Sequence, residues 1–368
     1  MVQSSIKENY IISGFFVFFL VHATTVGVST ICSQIFVYKT AGHDAWISIL
    51  FMGVYLHFIV WMMYKMLNNP AKDVIELHQM IFGKILGSAI SLLMIGYFFM
   101  SALSAVRAYI DVLQVWIFPT VSTWELCLIF LCIIYYIVSG GFRVLTGIAF
   151  FAVLASSLLF ILTYIPMKYG NLHYLFPIWN HSTSDLLKST LAASNLYMGF
   201  ESLFIFFPFI RSTDKHAKWA HFGVLFTSLQ YAFISISTLM YFSQGLLEQT
   251  LYPILVVTKI IQFPFAERIE FLFILGWFIV SLPSLCLSFW SCTRILKRIL
   301  NVKPGISLPL ILLPFFFALL QFSDRIKIDA LSKFVAKLGA CFLFGYIPVI
   351  FILFFIRSKI LRFFQSTR

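Results

Sequence analysis

The chain has 368 residues, 61% hydrophobic, 18% aromatic and only 11% charged, with a mean hydropathy of +0.94. A soluble domain is about 45–50% apolar and about 25% charged, so this composition excludes a water-soluble fold and calls for lipid as solvent. The formal charge of +12 does not point to nucleic acid, because no basic stretch carries interleaved exposed aromatics and the Lys and Arg residues gather in short segments between apolar runs.

Helices satisfy their own backbone in lipid, and each crossing needs about 20 apolar residues. Ten spans are predicted, at 11–37, 45–66, 86–118, 125–139, 145–167, 187–210, 219–243, 269–292, 308–322 and 335–356. The first apolar run is too long for the core of a cleavable signal peptide. The fourth and ninth spans are short, and the third is long enough to tilt or to extend beyond the bilayer. With ten spans both termini share one side. Most of the 26 Lys and Arg residues then fall on that side, which predicts both ends in the cytoplasm. The intervening stretches 68–84 and 246–270 mix apolar and polar residues around Asn69-Pro70, Pro253 and Pro264, as interfacial segments do. The six cysteines form no CxxC and read as small buried hydrophobes, with no disulfide framework and no metal site.

Ionisable and strongly polar groups inside a span are costly and mark candidate sites. In the first span, HATTVGVSTICSQ (22–34) is rich in Ser, Thr and Gly, which lowers helix propensity and favours an unwound stretch that offers bare amides to a ligand. Thr24, Thr25, Gly27 and Ser29 are the candidates; a tight helix–helix contact through small residues is the plainer alternative. In the second span, His57 reads as a hydrogen-bonded core residue.

In the third span, Tyr97, Ser101, Ser104, Ala108 and Asp111 share one stripe. Tyr97 and Ser101 are candidates to line a cavity. Arg107 and Asp111, at i and i+4, are positioned to neutralise each other.

In the sixth span, SNLYMGFESLFIFFPF (194–209) sets Glu201 in an otherwise apolar run, with Gly199, Phe200 and Glu201 as the ligand-binding candidates, and Pro208 removes a backbone bond further on. Glu201 is suited to accept a proton, a ligand ammonium or the hydrogen bonds of an unwound backbone. In the eighth span, Ser281, Ser284 and Ser288 form a polar stripe beside Pro283. Ser284 is the candidate there, with interhelical hydrogen bonding as the alternative. No HExxH, GxSxG, GxGxxG or Walker pattern is present, and no cofactor or enzymatic reaction is expected.

Four blocks then resemble a known family: TTVGVST (24–30), AGHDAWISIL (41–50), GFE followed by PFI (199–201 and 208–210), and AERIEFLFILGW (266–277). Together with the length and the span count, they are similar to the B subunit of bacterial spore germinant receptors. This is the endospore germination permease family of the amino acid–polyamine–organocation transporter superfamily. The family's usual G-x-G and following proline in the first span are here Thr25, Gly27 and Cys32.

The resemblance implies an all-α membrane protein, a single transmembrane domain over residues 1–368. It would consist of two inverted five-helix repeats (about 11–167 and 187–356), with broken helices 1 and 6 meeting at mid-membrane. It implies a transporter-like subunit in the spore inner membrane. A small nutrient germinant, an amino acid in the first instance, would bind and trigger germination through partner A and C subunits. A proton-coupled amino-acid permease is the alternative, and a channel-forming element a third reading.

Overall fold

The structure, a computed structural model, describes residues 8–68, 73–211, 216–261 and 268–366. The sequence features at Asn69-Pro70, Pro264 and Ala266-Glu267, with Lys7, Lys72, Lys215 and Arg368, lie outside the described residues. Every extended element among the described residues is helical, apart from a single parallel bridge between Ile12 and Ile210.

In chain order the first helices are α1 (Phe16–Thr25), α2 (Ser29–Cys32), α3 (Gln34–Ala41), α4 (Ala45–Leu67), α5 (Val74–Phe82) and α6 (Lys84–Trp116). Then come α7 (Thr123–Ser139), α8 (Phe142–Leu162), α9 (Tyr164–Met167), α10 (Thr183–Ala193), α11 (Leu203–Phe206) and α12 (Ala217–Tyr241). The last are α13 (Gln244–Gln249), α14 (Pro253–Thr258), α15 (Ile269–Leu300), α16 (Pro304–Leu320), α17 (Arg325–Ala340) and α18 (Ile347–Ser366). A π-helical stretch, Cys341–Tyr346, joins α17 to α18.

Among the described residues six helices are long and apolar enough to cross a membrane, or seven when the bent pair Thr183–Tyr197 and Phe200–Phe209 counts as one span. That pair turns through 57° at Met198-Gly199. Three shorter apolar helices, Phe16–Cys32, Thr123–Ser139 and Pro304–Leu320, fall where the first, fourth and ninth spans are predicted. The boundary between the first two predicted spans differs. α3 runs on through a 3-10 turn at Gly42–Asp44 into α4, so that Gln34–Leu67 reads as one 34-residue stretch. The long third span is the 33-residue α6.

The mixed segments form short helices. Asp73 caps α5 by accepting from the Glu76 amide at 2.9 Å, and α5 turns Val74, Ile75, Leu77 and His78 inward. Pro253 opens α14 at the first turn, where its missing N–H costs nothing. Pro283 sits inside α15 without ending it.

Between helices in lipid, close packing replaces the hydrophobic effect as the driving force. α15 packs mainly on α8 and α6, and α12 on α4 and α1. α1 is enclosed by α12, α8 and α15, which leaves Val17 and Phe19 through Thr25 buried. The α4–α12 contact depends on Gly53, where a Cβ would lie 2.3 Å from Ser228 Oγ.

Three sequence readings need correction. His57 is hydrogen-bonded as expected, to His221 (Nδ1 to Nδ1, 2.9 Å) at the seam of α4 and α12, but it is half-buried and not in the core. Cys132 and Cys341 are exposed, whereas Cys127, Cys286 and Cys292 are buried as expected; all six are free thiols. Arg107 and Asp111 form no ion pair: Asp111 pairs with Arg325, and Arg107 Nε donates to the Phe322 carbonyl. The i, i+4 spacing permits a contact, but a partner from α17 reaches Asp111 first.

Candidate functional site

The first helix stops at Thr25. Val26 is extended (ψ 103°), Gly27 and Val28 lie outside both helices, and α2 restarts at Ser29. Among the described residues the amides of Gly27 and Val28 have no backbone acceptor. Carbonyls freed by a break inside a membrane need donors, and they get them from neighbouring helices. Trp277 Nε1 on α15 donates to the Gly27 carbonyl at 2.9 Å. The Tyr231 hydroxyl on α12 lies 3.0 Å from the Thr25 carbonyl and 2.9 Å from that of Leu196. Its single proton can serve one of them at a time, and Ser29 Oγ, 3.3 Å away, also donates to Leu196.

The second break lies at Met198-Gly199. Met198 is extended and Gly199 has φ +124°, a conformation that glycine alone adopts at little cost. A Cβ on Gly199 would sit 2.0 Å from the Thr24 carbonyl oxygen, so the two breaks touch backbone to backbone there. They are tied elsewhere too. Asn195 Nδ2 donates to Ser33 Oγ at 2.9 Å. Ile12 N–H donates to the Phe209 carbonyl at 2.8 Å, and Arg211 N–H to the Ile12 carbonyl at 2.9 Å.

Glu201 stands in a 3-10 turn just past the second break and is fully buried. Its Oε1 accepts from the Tyr97 hydroxyl at 2.7 Å and its Oε2 from the Gly199 amide at 2.5 Å. Each oxygen thus has a donor, which makes a buried carboxyl group tolerable. The Tyr97 ring stacks on Phe342 of the π-helical stretch, centroids 4.5 Å apart.

Beside the breaks lies a cavity of about 100 Å³. Since a single water occupies about 10–15 Å³ on this measure, there is room for several waters or a small solute. Of the residues singled out from sequence, Thr24, Thr25, Gly27, Ser29, Ser101, Gly199 and Ser284 line it. Tyr97, Phe200 and Glu201 are buried behind the wall. Thr24 and Thr25 spend their hydroxyl protons on the carbonyls of Leu20 and Val21. Ser284 and Ser288 likewise bond back along α15, to the carbonyls of Ser281 and Ser284. Each of these hydroxyls keeps acceptor capacity toward the cavity.

The sequence reading missed one side of the wall: Tyr252, Arg325, Asp329 and Ser332. Arg325 Nη1 donates to Asp111 Oδ2 at 2.6 Å and to the Tyr252 hydroxyl at 2.7 Å, and Tyr252 donates to Asp111 Oδ2 at 2.5 Å. Arg325 Nη2 lies 3.0 Å from Asp329 Oδ1. Asp324 caps α17 from outside the spans: the Lys327 amide and ammonium beside it hold its carboxyl below the usual carboxylate range. The readable signal was Asp-Arg followed by Asp at i+4 of Arg325, a capped helix start with an ion pair. Its basic surroundings made the stretch look like an ordinary loop. Among the described residues no group of three or more His, Cys, Asp or Glu side chains is arranged to hold a metal.

The family described as spore germination protein matches residues 11–328. Spore germination protein GerQB of Bacillus cereus is 33% identical over 360 residues, covering 98% of this chain and all of that protein. Spore germination protein B2 of Bacillus subtilis (strain 168) is 21% identical over 265 residues, 70% of this chain and 71% of that protein. Among solved structures, a substrate-bound, outward-open Na+-coupled sialic acid symporter superposes with a TM-score of 0.56 at 12% identity. That match covers 96% of this chain and 78% of the symporter, and it shows a shared transporter fold. The chain therefore belongs to the spore germination permease family.

Proposed function

We propose that the chain is the B-like membrane subunit of a spore germinant receptor and that the cavity between the two breaks holds a small nutrient, an amino acid. The observation that carries this reading is the cavity itself. It is small, hydroxyl-rich and walled by interrupted backbone from two segments that touch at Thr24 and Gly199. Thr24, Thr25, Gly27, Ser29, Ser101, Gly199 and Ser284 contact the ligand in this proposal. Tyr97, Phe200 and Glu201 hold the second break from behind.

The remaining parts of the proposal follow the family. Ten spans form two inverted repeats, both termini are cytoplasmic, the protein sits in the spore inner membrane, and binding is relayed to A and C subunits. For the relay to work, the ligand must bind one arrangement of the helices more tightly than another.

The symporter-like fold supports a second reading, proton-coupled amino-acid transport with Glu201 exchanging the proton. Labelled amino acids offered to proteoliposomes under an imposed proton gradient separate the two. Binding without accumulation is the outcome expected of a sensor. Sustained accumulation would replace sensing with transport, and no binding by any amino acid would remove both.

A further inference from the structure

Among the described residues, Arg325 and Asp329 are the only charged side chains on the cavity wall. Guanidinium groups recognise carboxylates through paired N–H donors. One such pair on Arg325 is Nε with Nη2, and it is half used. Nη2 faces Asp329 Oδ1 at 3.0 Å, while Nε is buried and has no hydrogen-bond partner among the described residues. A buried donor left open costs stability, and each such group calls for an explanation. The other arm, Nη1, is fixed by Asp111 and Tyr252 at 2.6 and 2.7 Å, so the guanidinium plane is set before any ligand arrives.

The surrounding charges also bear on the ligand's class. Arg107, buried within Coulombic reach of Asp111 and Arg325, also has a donor, Nη1, without a partner among the described residues. Asp324 is also within reach of Arg107 and is offset by Lys327 at 3.1 Å, so Arg107, Arg325 and Lys327 balance Asp111, Asp324 and Asp329 in a neutral cluster. A ligand with a net charge would unbalance it in a partly desolvated site, whereas a zwitterion would not.

We infer that Arg325 and Asp329 are the specificity-determining pair for a zwitterionic ligand: its carboxylate docks on Arg325 Nε and Nη2, and its ammonium takes over Asp329. This rests on the reading of the cavity as an amino-acid site, and it puts the carboxylate on Arg325 and not on the bare amides near Gly27. Those amides precede α2, a four-residue helix whose dipole is small beside a full guanidinium charge. Asp329 exchanges one cation for another, so the site is paired both empty and filled. The ligand adds the contact to Nε that the empty site lacks.

The test compares an amino acid with its primary amide, which keeps the side chain and ammonium but has no carboxylate. The twenty amino acids are first titrated calorimetrically into the purified full-length protein, and the tightest binder is then compared with its amide. The expected result is a preference for the acid of about tenfold or more. In Arg325→Lys, which keeps the charge but loses the fork, the preference is expected to shrink to within about threefold. Asp329→Asn is expected to weaken acid and amide alike and to preserve their ratio.

Equal binding of acid and amide by the wild type would overturn the assignment with no variant needed, and so would a wild-type ratio in Arg325→Lys. Either result leaves the amino-acid reading standing. Absence of binding by all twenty would overturn that reading and this assignment with it.

Discussion

Tyr97 on α6 and Glu201, just past the second break, are joined by a 2.7 Å hydrogen bond between side chains 104 residues apart in the chain. The bond fixes the acid that sequence alone marks as out of place. Glu201 spends its other oxygen on the Gly199 amide, so the carboxyl group stitches the break closed on one side while the cavity lies on the other. It works as the internal cap of an interrupted helix.

Removing the hydroxyl tests that role. Tyr97→Phe leaves one oxygen of a buried carboxyl without its donor. The expected cost is about 2 kcal/mol, read as a lower melting temperature of the purified protein in detergent. An unchanged melting temperature would mean that Glu201 is not held from α6.

Gly199→Ala is expected to be far more damaging. It forces φ +124° on an alanine and places a methyl 2.0 Å from the Thr24 carbonyl oxygen, strain of about 3 kcal/mol or more before any repacking. Gly96→Ala is the matched control, because a Cβ there meets nothing within 4 Å. It is expected to be neutral or to stabilise α6 by up to about 1 kcal/mol. Equal yields of folded protein from the two variants would contradict the close approach of the breaks.

Asp44, from the AGHDAWISIL block, clasps the segment ahead of α10. It accepts the amides of Trp179, Asn180 and His181 at 2.9, 2.8 and 3.1 Å, and His181 Nδ1 at 3.0 Å. Asp44→Ala leaves those donors open at about 1–3 kcal/mol for each one that water cannot reach. Limited proteolysis near 179–181 is expected to speed up with little change in global melting. An unchanged digestion rate would show that the segment is held by other contacts.

Asp324 gives a pH dependence. Its folded-state value is held low by the Lys327 amide and ammonium. Its contribution is therefore complete above the ordinary aspartate value near 3.9 and disappears as pH falls through the lower folded value. The melting difference between wild type and Asp324→Ala is expected to be present at neutral pH and to narrow at strongly acid pH. A constant difference would refute the cap.

Much of this was legible in sequence, for identifiable reasons. Apolar run lengths located α6, α8, α12 and α15, and the clash of a glycine and a glutamate with an apolar run located the second break. Sequence could not say which way Glu201 points. That depends on Tyr97 arriving from another helix. Nor could it foresee that Asp111 would choose Arg325, 214 residues away, over Arg107 one helical turn back. The charged side of the cavity was hidden because Arg325 and Asp329 lie among lysines, where composition reads a loop. The role of AGHDAWISIL as a clasp was equally hidden, since three of the four groups Asp44 accepts from are backbone amides, which leave no trace in residue identity.

The most direct test of the account is equilibrium binding of the amino-acid panel to purified wild-type protein and to Ser284→Leu. The added side-chain bulk enters a cavity of about 100 Å³ next to Gly27, whose own Cβ would stand 3.1 Å from Ser284 Oγ. At least one amino acid is expected to bind the wild type, and Ser284→Leu, still folded, is expected to bind it about tenfold or more weakly. An amino acid bound equally well by both proteins would place the ligand elsewhere and contradict the account.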